Sequence, residues 1–380
     1  MEDLETLRGE LDKLDDGITD LWIKRMSLVK NIAAYKAQTG KKITDGNRED
    51  EIIFRLSEKA PEELKLYLKE VYSSIFATSK AYQSVNLNLD SLTIKRVKEL
   101  ISAGLEDFPV SGTVACQGVN GANSGTAAKS LFPICNISYF KNFEGVFSAV
   151  EKGLCKYGVL PIENSTAGSV SEVYDLMKKH KFYIVRSVRL KVYHCLVGLP
   201  GSELKNIKTV YSHPQALLQC AEHLKKLGVK TVESENTAVA ARNLLENGSL
   251  NDAVLCSREC AEKYGLKILE SSIQDNPYNY TRFICICKNL EIFNETNKIS
   301  VMTSLSHEPG SLNRTLARFA ALGLNLTKIE SRPVLGSQFE FMFYFDFEGN
   351  ILSEKVQSVI SELENTSDRF VLLGSYKEIV

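Results

Sequence analysis

The sequence predicts a multidomain chain of three parts: an all-α N-terminal region, a two-lobed α/β middle and an α+β tail. Three observations point there. An apolar three-four repeat runs from Leu4 without a proline, strand-like and helical runs alternate from about residue 111 to 288, and the last 80 or so residues order themselves βαββαβ. The length of 380 residues agrees, since domains usually hold ~100–200.

In the first part the apolar positions Leu4, Leu7, Leu11, Leu14, Ile18, Leu21, Leu28, Ile32 and Tyr35 describe one long helix with a coiled-coil-like seam. Gly40 stops it, Asn47 caps a second short helix through Leu56, and Pro61-Glu62-Glu63 opens a third that reaches about Gln83. The expected boundaries are 1–87 for the helical domain, 88–110 for a linker, 111–290 for the α/β domain and 297–380 for the tail.

The middle opens on an uncharged run rich in Gly, Ser and Asn from Phe108 to Ala128, a loop-forming composition. Strands are then expected at Thr113 to Cys116, Lys156 to Leu160, Tyr183 to Val188, Thr209 to Tyr211 and Arg282 to Cys287. Helices are expected at Phe143 to Gly153, Val170 to Lys179, Gln215 to Leu227 and Ala238 to Asn247. The extended stretch from Tyr183 to Gly198 suits a crossing between two lobes. In the tail, every odd position from Phe339 to Phe347 is Phe, which predicts a strand with one buried face.

Composition narrows the function. Lys plus Arg (46) balance Asp plus Glu (47), so no chain-wide attraction to nucleic acid or an anionic membrane is expected. No apolar run reaches the ~18–20 residues of a membrane span and the start lacks a signal-peptide pattern, so a cytoplasmic protein is expected. Nine scattered cysteines without paired CxxC units argue for buried reduced thiols, with no metal and no cofactor.

Polar residues interrupt the apolar faces. Arg25 stands where the heptad requires an apolar residue, and Lys36, eleven residues on, returns to nearly the same face ~16 Å further along. On the third helix the stripe Leu64, Leu68, Tyr72, Ile75, Phe76 runs into Ser79 and Gln83, while Asp45, Arg48 and Glu49 stand where the second helix begins. Cations, an amide, a hydroxyl and carboxylates on inner faces suit a small polyanion bearing a hydroxyl group.

The residues Leu7-Arg8, Lys24-Arg25, Ala34-Tyr35-Lys36, Asp45-x-x-Arg48-Glu49 and Ser79-x-x-x-Gln83 resemble the all-helical class of chorismate mutase, in the form fused to prephenate dehydratase. The resemblance implies that Arg8 and Arg25 bind the two carboxylates of chorismate with help from Arg48 and Ser79. It further implies that Lys36 and Gln83 donate to the ether oxygen, and that Glu49 and Asp45 hold the ring hydroxyl. These roles agree with the chemistry: the rearrangement is unimolecular and needs a compact conformer and donors at an oxygen gaining charge. Arg8 lies ~25 Å of helix from Arg25, too far to grip the same ligand, so it is either a surface residue or reaches the site of a second subunit. The resemblance favours the second and implies a homodimer or higher homo-oligomer.

In the middle, Gly118 to Ser124, Pro161 to Thr166, Tyr211-Ser212-His213-Pro214-Gln215 with Gln219, and Asn279-Tyr280-Thr281-Arg282-Phe283 fall in an order similar to the prephenate dehydratase domain. That likeness implies a periplasmic-binding-protein-like fold of two lobes, with Thr281 assisting departure of the ring hydroxyl. It implies that Asn164, Ser165, Thr166, Ser212, Gln219 and Arg282 bind or orient prephenate. The first loop departs from the family pattern at Val119 and Asn123. The tail resembles an ACT domain, a ferredoxin-like amino-acid sensor, through Pro309-Gly310-Ser311-Leu312, Gly323 to Thr327 and Glu330-Ser331-Arg332-Pro333. Its expected ligand is L-phenylalanine, acting as allosteric inhibitor of a bifunctional enzyme that takes chorismate through prephenate to phenylpyruvate. The rival readings are a dehydratase whose helices only dimerise, and a non-catalytic amino-acid sensor.

Overall fold

The structure is a computed structural model describing residues 3–39, 46–87, 91–305, 310–333 and 341–380. Asp45 and Pro309 lie outside the described residues. The chain divides into two compact units, Met1–Gly104 with Lys298–Leu372, and Leu105–Asn297 with Leu373–Val380.

The N-terminal helices are α1 (Leu4–Thr39), α2 (Gly46–Ser57), α3 (Lys65–Leu87) and α4 (Leu92–Ser102). Pro61 leads into a single 3₁₀ turn before α3, as a residue with fixed φ and no N–H does at a helix start. Helix α4 lies in residues 88–110, the expected linker. Its cause is local: Ser91 accepts a hydrogen bond from Ile94 N as N-cap, and Ile94 and Val97 are fully buried. Along α1 only Val29 and Ala33 are buried among the described apolar residues, whereas Leu4, Leu11, Leu14, Ile18 and Leu21 are each more than half exposed.

The second unit contains β1 (Ser111–Gln117), α5 (Asn123–Leu131), β2 (Ile134–Phe140), α6 (Phe143–Glu151), β3 (Tyr157–Asn164), β4 (Gly168–Ser169), α7 (Ser171–Lys179) and β5 (Tyr183–Lys191). It continues through β6 (Cys195–Gly198), β7 (Thr209–Ser212), α8 (Pro214–Gln219), α9 (Ala221–Leu227), β8 (Lys230–Glu233), α10 (Thr237–Asn247), β9 (Asp252–Cys256), α11 (Arg258–Lys263), β10 (Lys267–Glu270) and β11 (Tyr280–Cys287). One lobe is a sheet ordered β2-β1-β3-β11-β5, with β4 added to β3; the other is the five-stranded sheet β10-β6-β9-β7-β8. Strand β11 is central and antiparallel to both β3 and β5, and it is fully buried from Arg282 to Cys287. The chain crosses between lobes twice, from β5 to β6 and from β10 to β11. These crossings are tied together, since Ile273 N donates to the His194 carbonyl and Val192 N to that of Asn279.

Two local differences from the expected elements have clear causes. The run Gln215 to Leu227 is two helices, because Cys220 leaves helical geometry at φ −121°. The Gly/Ser/Asn run expected to be loop starts helix α5 at Asn123; Gly118, at φ +101°, makes the turn that precedes it.

The tail consists of β12 (Lys298–Ser304), α12 (Ser311–Ala321), β13 (Leu326–Pro333), β14 (Phe341–Glu348), α13 (Glu354–Thr366) and β15 (Phe370–Ile379), a βαββαβ order with β14 between β13 and β12. Phe345 and Phe347 pack on Phe319 of α12. The expectation of one buried face is corrected for the described part of the Phe-rich strand. Met342, Tyr344 and Asp346 on the opposite face are also buried, and the Asp346 carboxylate accepts from Ser300 Oγ. Between α12 and α13, Arg318 and Glu362 form a buried ion pair at 3.0 Å. Strand β15 starts in the first unit, and its last residues, from Leu373, belong to the second, where Lys377 to Ile379 lie parallel to β5.

All nine cysteines are free, eight of them buried. No described helix is long and apolar enough to cross a membrane.

Candidate active sites

The helical site lies where α1, α2 and α3 meet. Arg25 is half-buried; its Nη1 donates to Ser79 Oγ at 2.5 Å, and its guanidinium carbon stands 5.8 Å from the centre of the Phe76 ring. Burial lowers the pKa of Arg25. Gln83 is 7% exposed and its Oε1 has no hydrogen-bond partner among the described residues. Lys36, on the same face of α1 as Arg25, is half-buried.

A further cation appears that the sequence reading missed. Lys80 is 7% exposed, and its Nζ binds both carboxylate oxygens of Glu49 at 2.9 and 3.0 Å. Position 80 is one turn from Phe76 and Gln83, so helical spacing puts it on their face, although lysine at such a position is ordinarily at the surface. Arg48 is exposed and pairs with Glu51 at 2.5 Å, one turn along α2. Arg8 is exposed on the far half of α1.

The second site is a cavity of about 220 Å³ in the α/β unit, lined by residues of both lobes that include Gln117, Ser124, Asn164, His194, Gln219, Asn236 and Thr281. A chain of hydrogen bonds links His194, Gln219, Asn164 and Thr281 of its wall through the buried Asn279. His194 Nε2 lies 2.8 Å from Gln219 Oε1, Asn279 Nδ2 donates to the same oxygen at 3.0 Å, and Asn164 Nδ2 donates to Asn279 Oδ1 at 2.8 Å and to Thr281 Oγ1 at 2.9 Å. The direction is fixed at one end by backbone: Asn164 Oδ1 accepts from the N–H groups of Thr166 and Ala167, so its nitrogen must face Thr281. Thr281 Oγ1 therefore accepts from Asn164, a bond that does not use the hydroxyl's own proton. At the other end burial pushes the His194 pKa down, which keeps the ring neutral and lets Nε2–H donate to Gln219.

Among the described residues that line it, none is Asp, Glu, Lys or Arg. Two helix starts stand at the wall instead. Helices α5 and α10 begin at the cavity wall, with Asn123 and Ser124 in the first turn of one and Asn236 and Thr237 at the start of the other. The residue before α5, Ala122, offers no side-chain acceptor to that turn. Helix starts of this kind favour carboxylates.

Of the residues expected here, Asn164, Gln219 and Thr281 line the cavity, and four do not. Ser165 Oγ fastens its loop by donating to the Tyr278 carbonyl, Thr166 is exposed, and the buried Ser212 Oγ donates to the Leu255 carbonyl. Arg282 turns to the other face of the sheet, as strand alternation requires of a residue next to Thr281. His194 and Asn279 were missed as site residues. Asn279 sits two positions before Thr281 and shares its face, a legible signal; His194 carried none, because only the crossing of the two lobes brings it to Gln219.

In the tail, Gly310 adopts φ +79° immediately before α12 and a side chain there would meet Arg314 at 3.4 Å. Ser311 and Leu312 form the first turn of α12, and Glu330, Ser331, Arg332 and Pro333 end β13.

Residues 114–291 match the family model of prephenate dehydratase and residues 7–84 that of chorismate mutase type II. Arogenate dehydratase/prephenate dehydratase 1, chloroplastic, of Arabidopsis thaliana is 39% identical over 279 residues, 69% of this chain and 71% of that protein. Among solved structures, the prephenate dehydratase of Arthrobacter aurescens in complex with L-Phe is similar at TM-score 0.64 and 29% identity, over 70% of this chain and 89% of that one. A structure titled GqqA, a novel type of quorum quenching acylase, is similar at TM-score 0.65 and 29% identity, over 70% of this chain and 98% of that one. The chain belongs to the prephenate dehydratase family and carries a chorismate mutase domain of type II ahead of its dehydratase domain.

Proposed function

We propose that chorismate rearranges at the Arg25–Ser79–Gln83 cluster, that prephenate loses water and carbon dioxide in the α/β cavity, and that L-phenylalanine bound to an ACT-type tail slows the dehydratase. The observation that supports the dehydratase reading is the amide chain ending at Thr281, in which the threonine hydroxyl accepts from Asn164 and its proton is not used. Thr281 then hands that proton to the departing ring hydroxyl while the carboxylate leaves as carbon dioxide, and the ring becomes aromatic. Asn164 and Gln219 orient the substrate, whose carboxylates lie toward the starts of α5 and α10.

In the helical site Arg25 and Ser79 hold a carboxylate, Lys36 and Gln83 donate to the ether oxygen, and Glu49, held by Lys80, meets the ring hydroxyl. In the tail Gly310 to Leu312 and Glu330 to Pro333 are the phenylalanine contacts, as the free N–H groups at the start of α12 suit a carboxylate.

The relatives include proteins named for arogenate. Arogenate bears an ammonium where prephenate has a keto group, and the cavity lining offers that cation no carboxylate. Prephenate is the better fit. An acyl-transfer reading lacks its central contact: Ser124 Oγ donates to the Gln117 carbonyl and Thr281 Oγ1 accepts from Asn164, and neither hydroxyl is joined to an imidazole among the described bonds. A coupled assay tests the whole reading. Chorismate should disappear and phenylpyruvate form, added prephenate should be turned over with a higher kcat/KM than arogenate, and phenylalanine should slow the second step. Turnover of arogenate in preference to prephenate overturns the substrate assignment.

The exposed seam of α1, together with the ~25 Å between Arg8 and Arg25, supports a homodimer in which Arg8 completes the partner's site. Mixing inactive Arg8→Ala and Arg25→Ala proteins under subunit exchange should restore part of the mutase activity, because each mixed dimer regains one intact site. Demonstrated heterodimers without recovery count against a shared site.

A further inference from the structure

Thr281 is the second residue of β11, close to a strand end, and the ladder beside it is irregular. Thr281 pairs with Asn164 and Arg282 with Glu163, but Phe283 pairs with Pro161, so Ile162 is an extra residue. A bulge of this kind loosens the backbone registry next to the proposed proton donor. Beyond its pairing with β3 and β5, the strand is tied there by side chains on the opposite face. Arg282, 4% exposed, places Nε 2.8 Å from Glu378 Oε1, donates from Nη2 to the Tyr376 hydroxyl at 2.6 Å, and has Nη1 3.7 Å from Glu163 Oε1. Glu378 Oε2 also takes Arg189 Nη2 at 2.8 Å. Arg189 is the cross-strand partner of Arg282 on β5. Two guanidiniums directly opposite each other repel, and the Glu378 carboxylate bridges them.

We infer that Arg282 is a positioning residue for Thr281, and that Glu378 and Tyr376, from the last strand of the chain, belong through it to the dehydratase machinery. Both lie beyond residues 114–291, the part that matches the dehydratase family model. The inference rests on reading Thr281 as the proton donor. Its physical basis is the tolerance of a donor: a displacement of about 1 Å can cost ~10²-fold in rate. Asn164 fixes the Thr281 hydroxyl from the cavity side; the Arg282 network fixes the backbone that carries it. Since β15 also closes the βαββαβ tail, a truncation at residue 297 would remove the counter-ion along with the tail.

The test uses the full-length chain. A buried ion pair replaced by apolar side chains of similar volume commonly leaves a protein folded, so Arg282→Met with Glu378→Leu separates position from stability. The expected result is a dehydratase kcat lowered about tenfold or more, with KM for prephenate within about twofold. Mutase activity and the thermal midpoint stay near parental values. Tyr376→Phe, which keeps the ion pair and removes one hydrogen bond, should lower kcat less and in the same direction. A folded double variant with parental kcat overturns the inference, and so does loss of dehydratase activity only in proportion to lost folded protein. Thr281→Ala with full dehydratase activity sinks the underlying reading instead; an inactive Thr281→Ala beside a fully active double variant sinks only the role of Arg282.

Discussion

Thr281→Ala is expected to reduce dehydratase turnover of prephenate by ~10²–10⁴-fold, the usual worth of a positioned general acid. Chorismate should still be consumed, so prephenate accumulates. The size of the effect follows from geometry: of the described hydroxyl residues on the cavity wall, Ser124, Thr237 and Thr281, it is Thr281 whose oxygen accepts from Asn164. Ser124 also lines the cavity, but its proton is committed to the Gln117 carbonyl. Thr281→Ser should keep much of the activity, since it retains the hydroxyl at the same backbone position. Phenylpyruvate formation by Thr281→Ala at the parental rate would refute the assignment.

Lys36→Ala is expected to lower the mutase rate by ~10²–10³-fold while dehydratase activity on added prephenate is unchanged. An ether oxygen that gains charge as its bond breaks needs donors already in place, and the proposed donors are Lys36 of α1 and Gln83 of α3. Arg25 is bonded to Ser79 and Lys80 to Glu49, and Lys36, on the same face of α1 as Arg25, is the proposed cation for that oxygen. Near-parental consumption of chorismate by the variant would remove Lys36 from the site and turn attention to Lys80.

Much of the architecture was legible because it depends on short-range pattern. The three-four repeat of α1, the punctuation by Pro61, and the βαββαβ order of the tail are all set by periodicity and turn residues within a few positions. The polar residues on apolar faces, Arg25, Ser79 and Gln83, were legible for a related reason: an amphipathic pattern makes its own exceptions visible. Helix α4 also had such a signal in Ser91, Ile94 and Val97, but twenty residues rich in loop formers downstream masked it.

Other features depend on residues far apart in sequence, and no local pattern carries them. Alternation along β11 says that Thr281 and Arg282 face opposite ways, yet only the sheet order shows that the second face meets Glu378, 96 positions later. Likewise, the sequence identifies His194 as a polar residue in an extended run, and the crossing of two lobes makes it the end of a hydrogen-bond chain through Gln219 and Asn279. The sequence by itself determined which segments become helix or strand and which residue types interrupt their buried faces, since those follow from backbone propensity and periodicity. The tertiary structure decided which of those polar groups share a cavity, which are spent on each other, and which strand supplies the buried counter-ion, because pairing between distant segments is set by packing of the whole chain.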